Sequence, residues 1–446
     1  MPATRPLIVL PGPPPAGRLR PPGDKSITHR AYLLGLLAEG ETLVEDPNAG
    51  EDCLATLECA RVLGAGVETA PRTVRLRGTG GTLTEPGRVL DCGNSGTTLR
   101  LLAGVLAGQP FEATLTGDAS LCRRPMGRVI DPLRRMGASL SGREGDRLPP
   151  VTMRGGPLSG VSFSEATPSA QLASAILLAG TQAQGTTTVV TSWGVRDHTA
   201  RMLRCFGVPL QQRGRDDGSV EVSLLGPVRL RGCTVRVPGD FSAGAFFLAA
   251  AAATPGASVT LEGVGLNPTR AGLLDVLEHM GARVRIAGAR DEAGEPVGDV
   301  TLTGPERLEP FDVPADWMPR LVDEVPAWAI AASAARGTSR IAGAAELRLK
   351  ESDRLRALAA GLEALGIEVT ETSDGLVVTG GPVAGGRVVT HGDHRIAMAF
   401  ALMGTRASGA VTLDDAASIA TSYPGFLDAL QALGGRVGQS GEGTAA

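Results

Sequence analysis

At 446 residues the chain is longer than one hydrophobic core supports, so two or three domains are expected. Its 42% hydrophobic and 20% charged content is that of a soluble globular protein. A formal net charge of −4 with only 3% aromatic residues argues against a nucleic-acid binder, which needs a basic face or stacking platforms. An anionic ligand would have to be held by local charge.

The chain begins with a short apolar run, Leu7–Leu10, followed by prolines; it is too short for the apolar region of a signal peptide. Six alanine-rich segments then recur and predict helices: Ala31–Leu37, Leu99–Ala107, Ala170–Ala179, Ala243–Ala253, Val325–Ala335 and Ile396–Met403. They are apolar nearly all the way round, which predicts burial on every side. The longest apolar run, Ala245–Ala253, is too short to span a bilayer. After each comes a second, amphipathic helix that stops at a glycine: Gly64, Gly137, Gly207, Gly281, Gly366 and Gly434. An alternating strand follows, as in Arg283–Ile286, so each glycine reads as a helix C-terminus. Six units of two helices and several strands therefore fill the chain, and none could bury its apolar face alone. Three such units packing their internal helices together, with sheets outside, would make one domain, and six would make two.

Chemistry gathers at the starts of the internal helices. Four open with Gly-Asx, at Gly23-Asp24, Gly93-Asn94, Gly239-Asp240 and Gly392-Asp393, and the others open at Ser169 and near Asp323. Asp, Asn and Ser are preferred helix caps, but capping does not explain the neighbouring Lys25, Arg30, Arg100, Gln171, His394 and Arg395. Helix N-termini aimed at a shared cleft would attract phosphates and carboxylates. Lys25 and Lys350 are the only lysines among 43 basic residues, and both lie in dense polar clusters. A compact, rotatable ammonium is not interchangeable with a guanidinium. The six cysteines form no C-x-x-C pair and have no metal-ligand spacing to histidine, so reduced thiols in the cytoplasm are expected, with no metal.

The phrases Pro22–Arg30, Gly93–Arg100, Arg124–Gly127, Lys350–Arg354 and Asp393–Arg395 together resemble the 5-enolpyruvylshikimate-3-phosphate synthase family, in the right order from about Gly23 to Pro424. The resemblance implies an α/β fold of two domains, each with three βαβαββ units, buried helices and outer sheets, an inside-out α/β barrel. Residues 1–22 and 239–446 would form one discontinuous domain and 23–238 an inserted one, closing over substrates.

It also implies transfer of enolpyruvyl from phosphoenolpyruvate to shikimate 3-phosphate without metal or cofactor, by a monomer with no nucleic-acid or membrane partner. By that similarity Asp323 accepts the proton of the 5-hydroxyl, while Lys350 and Glu351 exchange the methylene proton or orient the intermediate. Lys25 would touch both substrates. Ser26, Arg30, Ser169, Gln171, Arg196, Asp323 and Lys350 would hold shikimate 3-phosphate. Asn94, Gly96, Arg124, Gln171, Arg354 and Arg395 would hold phosphoenolpyruvate.

Several positions depart from the better-known branch of the family: Ala170, Val195, Glu346 and Thr421 stand where serine, serine, asparagine and lysine are usual, which suggests a divergent second branch. Two rival readings remain at this point. One is the sister transferase acting on UDP-N-acetylglucosamine, for which Cys122 is the feature to weigh; the other is a non-catalytic binder of anionic metabolites.

Overall fold

A computed structural model of the chain describes residues 6–164 and 168–438; the tail Ser440–Gly443, to which the sequence assigns no role, lies outside them. The helices, in chain order, are α1 (Lys25–Leu37), α2 (Glu51–Val62), α3 (Gly96–Leu106), α4 (Gly127–Met136), a single turn α5 (Arg143–Asp146), α6 (Ala170–Gly180), α7 (His198–Cys205), α8 (Phe241–Ala252), α9 (Gly272–His279), α10 (Val325–Ala332), α11 (Arg354–Ala364), α12 (His394–Gly404) and α13 (Phe426–Ala432). Each alanine-rich segment is a helix, although α1, α3, α8 and α12 begin two to six residues before the apolar run. The polar residues of the motifs form their first turns. All six stop glycines have positive φ, from 79° for Gly366 to 118° for Gly137, the left-handed region in which a side chain is strained.

The chain divides into two compact units. One, the inserted unit, comprises Gly23–Pro238 with the short piece Asp291–Pro296, the tip of a hairpin whose strands belong to the other unit. The split unit comprises Met1–Pro22, Gly239–Arg290 and Val297–Ala446.

Inside the inserted unit lie three sheets of one plan. Leu90–Asp91 runs parallel to Glu112–Thr116, which pairs antiparallel with Leu148–Arg154, itself antiparallel to Ser139–Gly142. Ser162–Ser164, Gly185–Ser192, Ser219–Gly226 and Leu210–Gly214 repeat that order. The first repeat has no strand ahead of α1, and Thr234–Arg236, from the far end of the unit, supplies it by pairing parallel to Glu41–Glu45. Each repeat is thus βαβαββ, and the ring of three closes on a borrowed strand.

The split unit solves the same problem twice. Ala16–Leu19 lies parallel to Ser258–Gly265 and stands in for the strand missing before α8. Leu7–Leu10 sits between Val411–Leu413 and Arg436–Gly438, antiparallel to both, and completes the last sheet. The middle sheet has three strands, Thr338–Ile341, Leu376–Thr379 and Glu368–Glu371.

The internal helices form the cores. All twelve residues of α8 are buried, because a helix apolar on every side has no face to give to water. Small side chains allow close approach: a Cβ on Gly104 of α3 would lie 2.3 Å from the Ala175 carbonyl oxygen of α6. Among the described residues no helix is long and apolar enough to cross a membrane, and all six cysteines are free thiols.

Candidate active site

In the inserted unit the starts of the internal helices face the same way. Arg100 Nη1 in α3 donates to Gln171 Oε1 in the first turn of α6 at 2.9 Å, and Gln171 Nε2 donates to Thr97 Oγ1 at 2.9 Å. At the opposite ends Gln182, just past α6, donates to the Val105 carbonyl of α3 at 2.9 Å. First turn meets first turn and last meets last, so α3 and α6 are parallel and their positive ends lie together.

Asp24 caps α1 by accepting from the Ile27 amide at 2.9 Å, and Ser169 caps α6 through Leu172 N at 3.3 Å. Asn94 was expected to open α3, yet Ser95 is the cap, accepting from Thr98 N at 3.1 Å. Asn94 instead holds an arginine: its Oδ1 accepts from Arg124 Nη2 at 2.6 Å, its carbonyl accepts from Nη1 at 3.2 Å, and its Nδ2 donates to Asp118. A second serine only one residue along is as good a cap, and sequence cannot say which oxygen turns inward.

Gly96 opens α3 between two guanidiniums. A Cβ there would sit 2.6 Å from Arg100 Nη1 and 3.4 Å from Arg124 Nη1, so the missing side chain leaves room for both cations.

Lys25, the first residue of α1, pairs with Asp52 in the first turn of α2, Nζ to Oδ2 at 2.9 Å. Arg30 is buried and braces three helices, donating to the Ser26 carbonyl at 2.9 Å, to Ser174 Oγ of α6 at 2.8 Å and to Thr199 Oγ1 of α7 at 2.6 Å. Below them His29 is buried, and burial, then the charges of Lys25 and Arg30, push its pKa well below the ordinary histidine range. It is neutral and reaches Thr56 Oγ1 through Nδ1 at 2.6 Å. Arg196 is half-buried in the link to α7, one residue before Asp197 at the start of that helix. Cys122 spends its thiol on the Gly117 carbonyl at 3.4 Å within its own loop.

The split unit gathers its helix starts in the same manner. Arg395 Nη1 in α12 donates to the Asp323 carbonyl, just ahead of α10, at 2.8 Å, and Ser242 in α8 donates to Glu324. Arg406, beyond the far end of α12, donates to Ser333 Oγ at the end of α10 at 2.8 Å. These helices too are parallel.

Around the starts, carboxylates dominate. Arg354, the first residue of α11, is 1% exposed. Its Nε and Nη2 donate to Asp393 at 2.8 and 3.3 Å, Nη2 also meets Glu351, and Nη1 lies 3.6 Å from Asp323 Oδ1. Burial opposes the charge on Arg354, but the fields of Asp393, Glu351 and Asp323 outweigh it and raise its pKa. Burial likewise opposes ionisation of Asp393, Arg354 overcomes this, and the carboxyl is held below its usual range. The same Asp393 caps α12 through Arg395 N at 2.9 Å.

Neither bland reading of Asp323 or Glu351 survives. Asp323 is not a helix cap; that position is Glu324 and makes no side-chain cap bond. Glu351 does pair with Arg354 three residues on, but with a buried cation rather than on a solvated helix. Lys350 pairs with Glu346, Nζ to Oε1 at 2.6 Å.

The sequence thus located the clusters and missed their partners. Asp52 reads simply as an acidic residue in a helix's first turn, a favourable site on dipole grounds alone; its pairing with Lys25 depends on how α1 packs on α2. Within the split unit the structure brings Asp323, Glu351, Arg354 and Arg395 together. Within the inserted unit Asn94, Gly96 and Arg124 form one group, linked through Arg100 to Gln171 of α6.

Parallel buried helices whose cation-lined starts converge, ringed by βαβαββ sheets, define an enolpyruvyl-transferase-type fold. The sequence pattern of the EPSP synthase (3-phosphoshikimate 1-carboxyvinyltransferase) family matches residues 11–430, and the chain belongs to that family. It is 51% identical to the 3-phosphoshikimate 1-carboxyvinyltransferase of Methylobacterium radiotolerans, across 97% of this chain and 98% of the relative. The enzyme of the same name from Geobacillus kaustophilus is 47% identical, over 94% and 97%. Among solved structures, EPSP synthase from Acinetobacter baumannii superposes with a TM-score of 0.86 at 42% identity, covering 98% of this chain and 100% of that one.

Proposed function

We propose that the protein transfers the enolpyruvyl group of phosphoenolpyruvate to the 5-hydroxyl of shikimate 3-phosphate and releases inorganic phosphate, a step of aromatic amino acid biosynthesis. One observation carries this reading: 51% identity across 97% of the chain to an enzyme named for that reaction. The paired chemistry of the two units agrees with it. The inserted unit offers cations at helix starts, suited to phosphates and carboxylates; the split unit offers carboxylates beside cations, suited to moving protons.

The hydroxyl oxygen attacks C2 of phosphoenolpyruvate while its proton passes to Asp323 and the methylene carbon gains one. Loss of a methylene proton then expels phosphate and restores the double bond. Glu351 and Lys350 exchange the methylene proton. Glu351 is held for this by Arg354, whose buried guanidinium keeps its place by also holding Asp393. Lys25 contacts both substrates. Arg124, Arg354 and Arg395, with Asn94, Gly96 and Gln171, hold phosphoenolpyruvate, and Ser26, Arg30, Ser169, Gln171, Arg196 and Lys350 hold shikimate 3-phosphate. Much of Arg354 and Arg30 is already committed to protein groups, so each offers substrate an edge rather than a whole guanidinium.

The free thiols fit a reducing cytoplasm, and each candidate cluster is built from one chain, which fits a monomer. Mixing the protein with phosphoenolpyruvate and either shikimate 3-phosphate or UDP-N-acetylglucosamine tests the reading: phosphate release is expected with the first acceptor and not the second. The sister transferase would reverse that preference, and a mere binder would release none with either.

A further inference from the structure

Three cations lie within seven residues, Arg348, Lys350 and Arg354, and the fold restrains them very differently. Arg348 is tied to Asp353 at 2.9 Å, to Glu371 at 2.6 Å and to the Ser373 carbonyl at 2.9 Å. Arg354 is buried against Asp393, Glu351 and Asp323. Lys350 has one carboxylate, Glu346 at 2.6 Å, and keeps 24% of its side chain exposed, with 37% for Glu346. Both residues belong to the short 3-10 turn Ala345–Leu349 and its end, so the pair is local and can part without disturbing any packed element.

We propose that Glu346 is a positioning residue for Lys350: an exchangeable counter-ion that holds the ammonium in the unliganded protein and yields it to an anionic group of the bound substrate. This rests on the enolpyruvyl-transfer reading, in which Lys350 touches substrate. The energetics permit the exchange. A partly exposed ion pair is weak, whereas an incoming phosphate or carboxylate offers the same ammonium a comparable contact alongside its other bonds. Arg348 and Arg354 hold too many partners to be released in that way. An ammonium is also the right cation for the task, since it turns about a flexible stem with no planar fork to realign. At position 346 an asparagine would give Lys350 a hydrogen bond but no opposite charge, so the carboxylate adds charge compensation that ends when substrate arrives.

The scarcity of lysine makes the pairing directly readable. Brief labelling of the folded, unliganded protein with trinitrobenzenesulfonate, followed by peptide mass spectrometry, reports Lys350 with Lys25 as internal reference. Glu346→Gln is expected to speed labelling of Lys350 relative to Lys25 about two- to fivefold, the worth of a partly exposed pair, and Glu346→Asp to fall between. In steady state Glu346→Gln is expected to lower kcat, because the ammonium is less well placed, and also to lower KM for the anionic substrates about two- to fivefold, because a competing internal anion is gone. Unchanged labelling overturns the proposal, as does a raised KM, which would mean that Glu346 assists substrate binding instead of competing with it. Labelling is read without turnover, so absence of phosphate release by the unaltered protein would count against the enolpyruvyl reading and be told apart from failure of the pairing.

Discussion

The carboxylate of Asp393 caps α12 through the Arg395 amide and meets Arg354 Nε at 2.8 Å, so one residue fixes both a helix start and a buried cation. Asn in its place could still cap but would leave Arg354 short of a counter-charge. Asp393→Asn should cost about 3 kcal/mol or more in a urea titration, the range for breaking a buried pair; a loss below about 1 kcal/mol would show that Glu351 and Asp323 suffice. Sign follows from direction. The folded pKa of Asp393 is depressed, so its contribution is present above the unfolded value of about 4 and fades as pH falls below it. Asp393→Asn should therefore flatten the acid limb of the stability curve. Asp323 differs, because its 3.6 Å approach to Arg354 is the loosest of the three and adds little to the anchor. As the acceptor of the hydroxyl proton, it should cost about 10²- to 10⁴-fold in kcat when changed to Asn, with the unfolding midpoint nearly unmoved. Equal kcat would remove it from the chemistry. At this scale the sequence named the polar clusters through their composition. The pairings Lys25–Asp52 and Arg354–Asp393 span 27 and 39 residues and exist only once helices have packed.

Helices were the most legible elements, since a stop glycine and an alanine-rich run each follow from local chemistry. Their first turns were the least legible. Asp24, Ser95, Asp240 and Asp393 are caps, but Asn94 and Asp323, equally plausible by type, are not. Close approach of the internal helices is also invisible locally: Gly104 looks like an unfavourable residue in mid-helix until its 2.3 Å distance to the Ala175 oxygen is known. Gly104→Ala improves intrinsic helix propensity and should still destabilise, by about 1–3 kcal/mol, because backbone cannot yield as a side chain can. Chemical denaturation checks the sign. Stabilisation would mean that α3 and α6 can separate freely.

On the scale of the whole chain, three sheets are completed by strands from distant sequence. Thr234–Arg236 joins Glu41–Glu45, Ala16–Leu19 joins Ser258–Gly265, and Leu7–Leu10 lies beside Val411–Leu413. The repeats explain why. A βαβαββ unit missing its first or last strand leaves an edge, and the chain's path in and out of each unit supplies it. The periodic glycines made six units legible, whereas the borrowed strands, three or four residues long, carry too little pattern to be paired by reading alone.

Both units' chemistry meets in one balance, phosphate released against acceptor consumed. With phosphoenolpyruvate in excess and shikimate 3-phosphate limiting, one phosphate should appear per acceptor, and the product should carry one added enolpyruvyl group by mass. Phosphate release that continues without acceptor, or no release at any pH between about 6 and 9, would contradict enolpyruvyl transfer.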